Sequence, residues 1–268
     1  MWKLGVCEKD LNGSLAENVQ WLAEHGFSGL QLWKNKLDGE GLSAADGLKM
    51  IGDAGLEVTS IGGGPNMVDP SMAEQNIALF KTFLDLSVEM GPGIVCAESK
   101  AKPEGMTDEQ AWDSTVHFVT EVCRHAESAG AVLAIECAGP CFITDHDMWL
   151  ELQRRVGSQA LKVNLDPANI VWAGKKAEDA VRALGANIVH THAKDIARVE
   201  DDALHKREHL MDVPAGKGLV DYPEYLRALA ETGYDGYLVI EMHSGDQDRR
   251  ADVVESMENL QEMMAELG

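Results

Sequence analysis

Short apolar runs alternate with helical patterns from one end of this 268-residue chain to the other. Such runs, four to six residues long and rich in Val, Ile and Leu, are typical of strands buried on both faces. The predicted strands are Trp2–Cys7, Gly29–Leu32, Val58–Ile61, Ile94–Ala97, Val132–Glu136, Val163–Asp166, Ile188–His192 and Leu238–Glu241. Eight strand signals separated by helix-length segments restrict the chain to an α/β architecture.

The segments between these runs carry helical periodicity, and glycine follows several of them. The predicted helices are Leu15–His25, Ala44–Ala54, Met72–Met90, Asp108–Ala129, Asp147–Val156, Ala177–Leu184, Pro223–Thr232 and Val253–Leu267. Strict alternation requires parallel strands with helical crossovers, and eight units in about 250 residues favour a closed (β/α)8 TIM barrel. The alternative is an open doubly wound sheet. Without a linker or a shift in composition, residues 1–268 are predicted to form a single barrel domain.

The charge balance disfavours two classes of partner. The chain has 23 basic and 45 acidic residues and a net charge of −22. Such a surface repels phosphate backbones and anionic membranes, so neither nucleic acid nor membrane is an expected partner. The five cysteines show no CxxC pair and no apolar run reaches membrane-spanning length, which together predict a cytoplasmic protein. The sequence leaves a monomer and a homo-oligomer open.

Four predicted strands end in a side chain that can bind a metal, namely Glu136, Asp166, His192 and Glu241. In a parallel barrel these ends share one mouth, and active sites form there. Two carboxylates ~4 Å apart repel by roughly 4 kcal/mol at an effective dielectric of ~20. A divalent cation would turn this repulsion into attraction. The pattern therefore predicts one divalent metal ion; the oxygen-rich set favours Mn²⁺, with Mg²⁺, Co²⁺ and Zn²⁺ as alternatives.

Strand alternation gives a check on this prediction. If the four ligands point into the barrel, the neighbouring side chains must point outward to the helices. These neighbours are Cys137, Leu165, Thr191 and Ile240. His190 shares the inward face of His192 but lies one layer deeper, where it either orients the site or packs in the core.

Six segments resemble the sugar isomerase and epimerase branch of the xylose-isomerase-like barrels, a superfamily that also contains endonuclease IV. They are GFSGLQLW, AIECAGP, VNLDPAN, HTHAKD, VPAGKGLVDYPEYLRAL and YDGYLVIE. The resemblance covers almost the whole chain and implies a xylose-isomerase-like TIM barrel. It implies that Glu136, Asp166, His192 and Glu241 are the four metal ligands. It also implies that Glu136 and Glu241 form the catalytic acid/base pair and that Arg198 binds substrate oxygens.

Three positions depart from the ketose epimerases within this branch. Asn169 stands where those enzymes have a histidine, and Phe142 where they have a further glutamate. Gln31 stands where many relatives have an acidic residue after the second strand. These departures weigh against assignment to that one subfamily, although Asn169 keeps a predicted place in the substrate site.

Further residues are expected to line the substrate site. Lys194 shares the face of His192 and is predicted to contact a substrate oxygen, with a salt bridge to Asp195 as the alternative. Trp33 is predicted to form an apolar wall against a sugar ring, with ordinary core packing as the alternative. The long segment Ile196–Gly218 is predicted to be an active-site loop.

These residues predict an isomerase or epimerase of a small sugar, polyol-derived ketone or hydroxy-keto acid. One glutamate removes a proton next to a carbonyl, the metal stabilises the enediolate, and the other glutamate returns a proton. The alternative is a lyase of the inosose-dehydratase kind, because the same apparatus can eliminate a leaving group. An abasic-site endonuclease would need more histidines at the mouth and a less acidic surface. A binding protein without activity would not need two bases.

Overall fold

Eight parallel strands close into a barrel in this computed structural model, which describes residues 2–198, 210–242 and 248–267. The strands in the described ranges are β1 Leu4–Cys7, β2 Gly29–Trp33, β3 Glu57–Gly62, β4 Ile94–Glu98, β5 Val132–Glu136, β6 Leu161–Leu165, β7 Ile188–Ala193, β8 Asp195–Arg198, β9 Leu210–Val213 and β10 Leu238–Ile240. β1 to β7 are neighbours in chain order, and β10 closes the barrel between β7 and β1. This confirms the predicted TIM barrel.

The helices surround the barrel and follow the strands. They are α1 Leu15–Glu24, α2 Lys34–Glu40, α3 Ala44–Asp53, α4 Ala73–Glu89, α5 Asp108–Ala129, α6 His146–Val156, α7 Pro167–Trp172, α8 Ala177–Leu184, α9 Tyr222–Glu231 and α10 Arg250–Leu267. Capping boxes begin three of them, at Ser14, Ser43 and Thr107. In these ranges, no helix has both the length and the apolar character needed to cross a membrane.

Two short helices were missing from the sequence prediction, which gave eight helices. α2 follows β2 without a linker and buries only Leu37, so it has no apolar periodicity to detect. α7 has six residues, begins with Pro167 and is capped by Asp166, whose carboxylate accepts hydrogen bonds from the backbone of Ala168 and Asn169. This helix begins directly at a predicted metal ligand, and it therefore places its own side chains beside the barrel mouth.

The predicted loop Ile196–Gly218 contains a hairpin. β8 pairs antiparallel with β9, with Asp195 opposite Val213; residues 199–209 lie outside the described part of the chain. The pairing of Asp195–Arg198 with Leu210–Val213 is an addition to the predicted active-site loop that the sequence analysis did not anticipate. Its role in the active site stays a prediction.

Large side chains fill the layer between barrel and helices, including Phe80, Phe118, Trp149, Tyr222 and Tyr225, all fully buried. The Thr191 hydroxyl contacts that of Tyr225 on α9. Thr191 therefore points outward to the helices, as strand alternation predicted for this residue.

Candidate active site

The four predicted ligands come together at the carboxyl ends of the strands. Glu136 ends β5, Asp166 follows β6, His192 lies in β7 and Glu241 follows β10. One candidate ligand atom from each of the four lies within 4.8 Å of the others, and all four residues are buried. Barrel closure therefore brings residues from positions 136 to 241 of the sequence into a single cluster.

His192 has its two ring nitrogens in different environments. Nε2 lies 2.9 Å from Oε1 of Gln31, which can only accept, so Nε2 carries the hydrogen and donates it. Nδ1 lies 3.4 Å from Oε2 of Glu136 and 3.4 Å from Oε2 of Glu241. Burial alone would lower the pKa of His192, but Glu241, Cys7 and Glu136 raise it well above 6.5. Nδ1 thus faces the carboxylates with a proton that a bound cation would replace.

Neutral amides hold Glu136. The side chain of Asn164 donates to Oε2 at 2.9 Å, and that of Asn169 donates to Oε1 at 2.7 Å. Asn169 reaches this position because α7 begins at Asp166. The predicted substrate-site residue Asn169 therefore orients a predicted catalytic carboxylate.

Ammonium groups hold Glu241. Lys9 donates to Oε1 at 2.8 Å, and Lys194 donates to Oε2 at 2.7 Å. Opposite charges favour the ionised carboxylate more strongly than neutral amides do. The two glutamates of the predicted acid/base pair therefore lie in different electrostatic environments.

Lys194 is buried inside the cluster, with 1% of its side chain exposed. Its Nζ lies 2.5 Å from Oδ2 of Asp166 in addition to its contact with Glu241. Burial would lower the pKa of Lys194, but Asp166, Glu241 and Glu136 raise it well above 10.5. The alternative prediction, a salt bridge between Lys194 and Asp195, was wrong. The Asp195 carboxylate instead accepts hydrogen bonds from backbone N–H groups, at Ile196, Gly216, Gly218 and Val220.

Trp33 and Arg198 are less closely tied to the cluster. The Trp33 ring packs on the backbone of Gly62, where a Cβ would lie 2.6 Å from the ring, and carries the Lys9 ammonium 4.6 Å from a ring centroid. Arg198 is exposed and ends β8. Their predicted contacts with substrate stay predictions.

The sequence interpretation missed Lys9, Glu98 and Asn164. Glu98 ends β4 opposite Glu136 in register, and its Oε2 accepts from Nζ of Lys100 at 2.7 Å. Its signal was available, because the run IVCAE ends in a carboxylate like the others. Asn164 lies two residues before Asp166 on the inward face, where strand alternation could have identified it.

A second layer lies beneath the cluster. Nδ1 of His190 lies 2.8 Å from Oδ1 of Asn164, and its Nε2 lies 3.2 Å from the hydroxyl of Thr59 and 3.1 Å from that of Ser60. Burial, followed by the charge of His192, lowers the pKa of His190 well below 6.5. Neutral His190 thus donates to Asn164 and turns the Asn164 amide hydrogens toward Glu136, which agrees with the predicted orienting role.

The donor set fits a divalent metal ion. Three carboxylates and one imidazole within 4.8 Å form an oxygen-rich set. Oδ2 of Asp166 is buried and, among the described residues, receives no well-directed hydrogen bond, although it forms an ion pair with Nζ of Lys194 at 2.5 Å. Cys7 lies 3.6 Å from Nε2 of His192, but its thiol donates to Gln31 and burial raises its pKa to about 12. The thiol therefore stays protonated, and the oxygen-rich set is the better cation site.

The match with a protein family agrees with this fold. Residues 19–263 match the xylose isomerase-like TIM barrel family. Because the match covers most of the chain, the protein belongs to this family.

Curated relatives include two dehydratases. A 3-dehydroshikimate dehydratase of Pseudomonas putida is 25% identical over 249 residues, which are 88% of this chain and 37% of that protein. An inosose dehydratase of Lacticaseibacillus casei is 24% identical over 189 residues, which are 63% of this chain and 63% of that protein. The chain spans less than two thirds of the length of either dehydratase.

Solved structures with the same fold include an epimerase and a zinc-bound protein. The D-psicose 3-epimerase of Clostridium cellulolyticum H10 has a TM-score of 0.76 at 17% identity, covering 98% of this chain and 97% of that one. The IolI protein with a bound zinc atom has a TM-score of 0.80 at 18% identity, with coverages of 98% and 97%. The family thus has an enzyme fold with epimerases and dehydratases among its neighbours.

Proposed function

We propose that the protein is a divalent-metal-dependent isomerase or epimerase of a small sugar or polyol-derived carbonyl compound. The observation that carries the proposal is the placement of two glutamate carboxylates at the same distance from one imidazole nitrogen. Oε2 of Glu136 and Oε2 of Glu241 both lie 3.4 Å from Nδ1 of His192. Two carboxylates arranged in this way can remove a proton on one side of a bound substrate and return it elsewhere.

The ion would be held by Glu136, Asp166, His192 and Glu241. A bound divalent ion supplies Lewis-acid polarisation of the substrate carbonyl and stabilises negative charge on an enediolate. Mn²⁺ suits the oxygen-rich set, and Mg²⁺, Co²⁺ and Zn²⁺ are the alternatives.

The protein residues divide the proton transfers between them. Glu136 is oriented by two neutral amides and Glu241 by two ammonium groups, and we assign these two carboxylates as the pair that removes and returns the proton. Return of a proton to the opposite face of the same carbon gives an epimer, and return to the neighbouring carbon gives an isomer. Trp33, Lys194 and Arg198 are the proposed substrate contacts, while Asn169 positions Glu136.

A dehydratase is the second candidate. The names of the two dehydratase relatives favour it. In that reaction a carboxylate would take the proton from carbon, and a hydroxyl on the adjacent carbon would leave with a proton as water. Both candidates share the first step and differ in the product.

Deuterium uptake from heavy water tests the shared step. The Mn²⁺-loaded protein is incubated with ketoses, inososes and hydroxy-keto acids, and the products are analysed by NMR and mass spectrometry. We expect a carbon-bound deuteron with the wild type and with Glu109→Gln, whose exposed side chain lies on α5. We expect loss of uptake with Glu136→Gln and Glu241→Gln. Product with one water fewer would identify the dehydratase, and product formed without any uptake would exclude proton exchange with solvent and contradict the proposal.

A further inference from the structure

The ammonium group of Lys194 lies inside the proposed metal cluster. Lys194 has 1% of its side chain exposed, and its two ion-pair partners, Asp166 and Glu241, are both proposed metal ligands. A buried lysine normally pairs with a carboxylate to offset the loss of hydration. Here the carboxylates that provide this pairing are the same ones that a divalent ion would need.

Lys194 and a divalent ion would compete for the same individual carboxylate oxygens. Oδ1 of Asp166 already accepts from the backbone N–H groups of Ala168 and Asn169, which leaves Oδ2 for a cation. Lys194 lies 2.5 Å from that Oδ2.

Glu241 shows the same division between its oxygens. Its Oε1 accepts from Lys9 at 2.8 Å, while its Oε2 lies 3.4 Å from Nδ1 of His192. Lys194 donates to this Oε2 at 2.7 Å. The ammonium therefore contacts one candidate ligand oxygen from each of two proposed metal ligands.

We propose that Lys194 is a built-in counter-ion that holds the place of the metal, and that it must leave Asp166 and Glu241 when a divalent ion binds. The inference rests on the proposed metal site. It adds that metal binding to this chain is an exchange of one cation for another. The four-carbon stem of lysine gives the ammonium the freedom to make this movement.

The charges of the cluster support an exchange. The Lys194 ammonium lies 2.5 Å from Oδ2 of Asp166 and 2.7 Å from Oε2 of Glu241. A divalent ion bound to these oxygens would lie beside the ammonium in a buried site, where the repulsion between two cations is weakly screened. Withdrawal of Lys194 from the ligands removes that repulsion. The released ammonium would then be available to a substrate oxygen, the contact predicted from the sequence.

Competition for the ligands has a measurable consequence. When the binding-competent form is about a tenth of the population, the apparent affinity falls about tenfold below the intrinsic affinity. Replacing Lys194 by methionine keeps the unbranched stem of the side chain as far as the ε position and removes the competing ammonium. A supporting role for Lys194, in which it orients the carboxylates while a metal is bound, predicts the opposite effect on affinity.

Metal affinity is measured by calorimetric titration of chelator-treated protein with Mn²⁺ alone, on wild type, Lys194→Met and Lys9→Met. Lys9→Met is the matched control, because it removes one positive charge from Glu241 without freeing Oδ2 of Asp166. We expect Lys194→Met to bind Mn²⁺ about tenfold more tightly than wild type and more tightly than Lys9→Met. We also expect Lys194→Met to melt at a lower temperature than wild type in chelator and to regain this loss with Mn²⁺.

Equal or weaker binding by Lys194→Met overturns the inference while leaving the metal site intact. Absence of Mn²⁺ binding by the wild type overturns the metal-dependent function as well. If Lys194→Met does not fold in chelator, crystal structures of the wild type with and without Mn²⁺ decide the question. We expect Nζ to move out of hydrogen-bond distance of both oxygens in the Mn²⁺ form. Retention of both contacts beside the bound ion would overturn the inference.

Discussion

The side-chain amide of Asn169 donates a hydrogen bond to Oε1 of Glu136 at 2.7 Å. Asn169 is the third residue of α7, and the same helix is capped by the Asp166 carboxylate. One short helix thus joins a proposed metal ligand to the positioning of a proposed base. A histidine at this position, as in the ketose epimerases that the sequence resembles, could exchange a proton with the glutamate. The amide of Asn169 stays neutral and can only donate a hydrogen bond to this carboxylate.

Replacement of Asn169 by alanine is expected to lower kcat for deuterium uptake about 10- to 100-fold, the range typical of outer-shell partners. The reason is that Glu136 loses one of its two orienting amides. The comparison uses a substrate identified by solvent exchange and the exposed helix variant Asn35→Ala as control. A rise in KM with unchanged kcat would instead indicate that Asn169 only contacts substrate.

Removal of the metal is expected to lower the melting temperature. A ligand at 100 times its Kd stabilises the folded state by about 2.7 kcal/mol, which corresponds to about 5–10 °C for a protein near this size. Differential scanning calorimetry in chelator and in excess Mn²⁺ measures the shift. Asp166→Asn should abolish it, whereas the exposed variant Asp85→Asn should retain it. Equal melting temperatures of the wild type in both conditions would contradict the metal site.

Asp195 is expected to stabilise the segment that follows the hairpin. Its two carboxylate oxygens accept from backbone N–H groups at 2.8–3.1 Å, at Ile196, Gly216, Gly218 and Val220. Asp195→Ala leaves these donors without their partner and should lower the free energy of unfolding by about 3 kcal/mol. Asp195→Asn keeps one acceptor oxygen and should lose about half as much. Urea denaturation measures both; a change below about 0.5 kcal/mol for Asp195→Ala would show that water replaces the carboxylate.

The cysteine thiols are expected to react slowly with thiol reagents in the native protein. Burial raises the pKa of Cys96, Cys123 and Cys141 to about 12. At pH 8 the reactive thiolate would then be roughly one part in ten thousand. Titration with a chromogenic disulfide should give a slow reaction in buffer and five thiols in denaturant. A fast stoichiometric thiol in buffer would contradict this expectation.

Much of the fold was predictable because it repeats one local pattern. Each predicted strand was a short apolar run, and a predicted helix followed it, as in the pair formed by β5 and α6. Glycine after several of these helices marked where they end. α2 and α7 were not predictable in this way. They are too short for periodicity, and the strands β8 and β9 lie in or beside a segment of mixed charge that shows no continuous apolar run.

The predicted ligand set was accessible from sequence for the same reason. Strand ends at equivalent positions must share one end of a parallel barrel, so Glu136, Asp166, His192 and Glu241 could be grouped before their distances were known. Glu98 follows the same rule and was missed only because its strand was ended one residue early. The catalytic roles of this set stay predictions.

By itself, the sequence determined the barrel, its strand order and the chemical identity of the side chains at its mouth. The reason is that the alternation of apolar strands and amphipathic helices, and the residue at the end of each strand, are local features of the chain. Only the tertiary structure decided what each of those side chains touches. Lys194 pairs with Asp166 and Glu241 instead of its neighbour Asp195, and Asn169 contacts Glu136 across the site. Such contacts depend on barrel closure, which brings together side chains from strands that are far apart in the sequence, and no local pattern in the chain specifies which of these side chains touch.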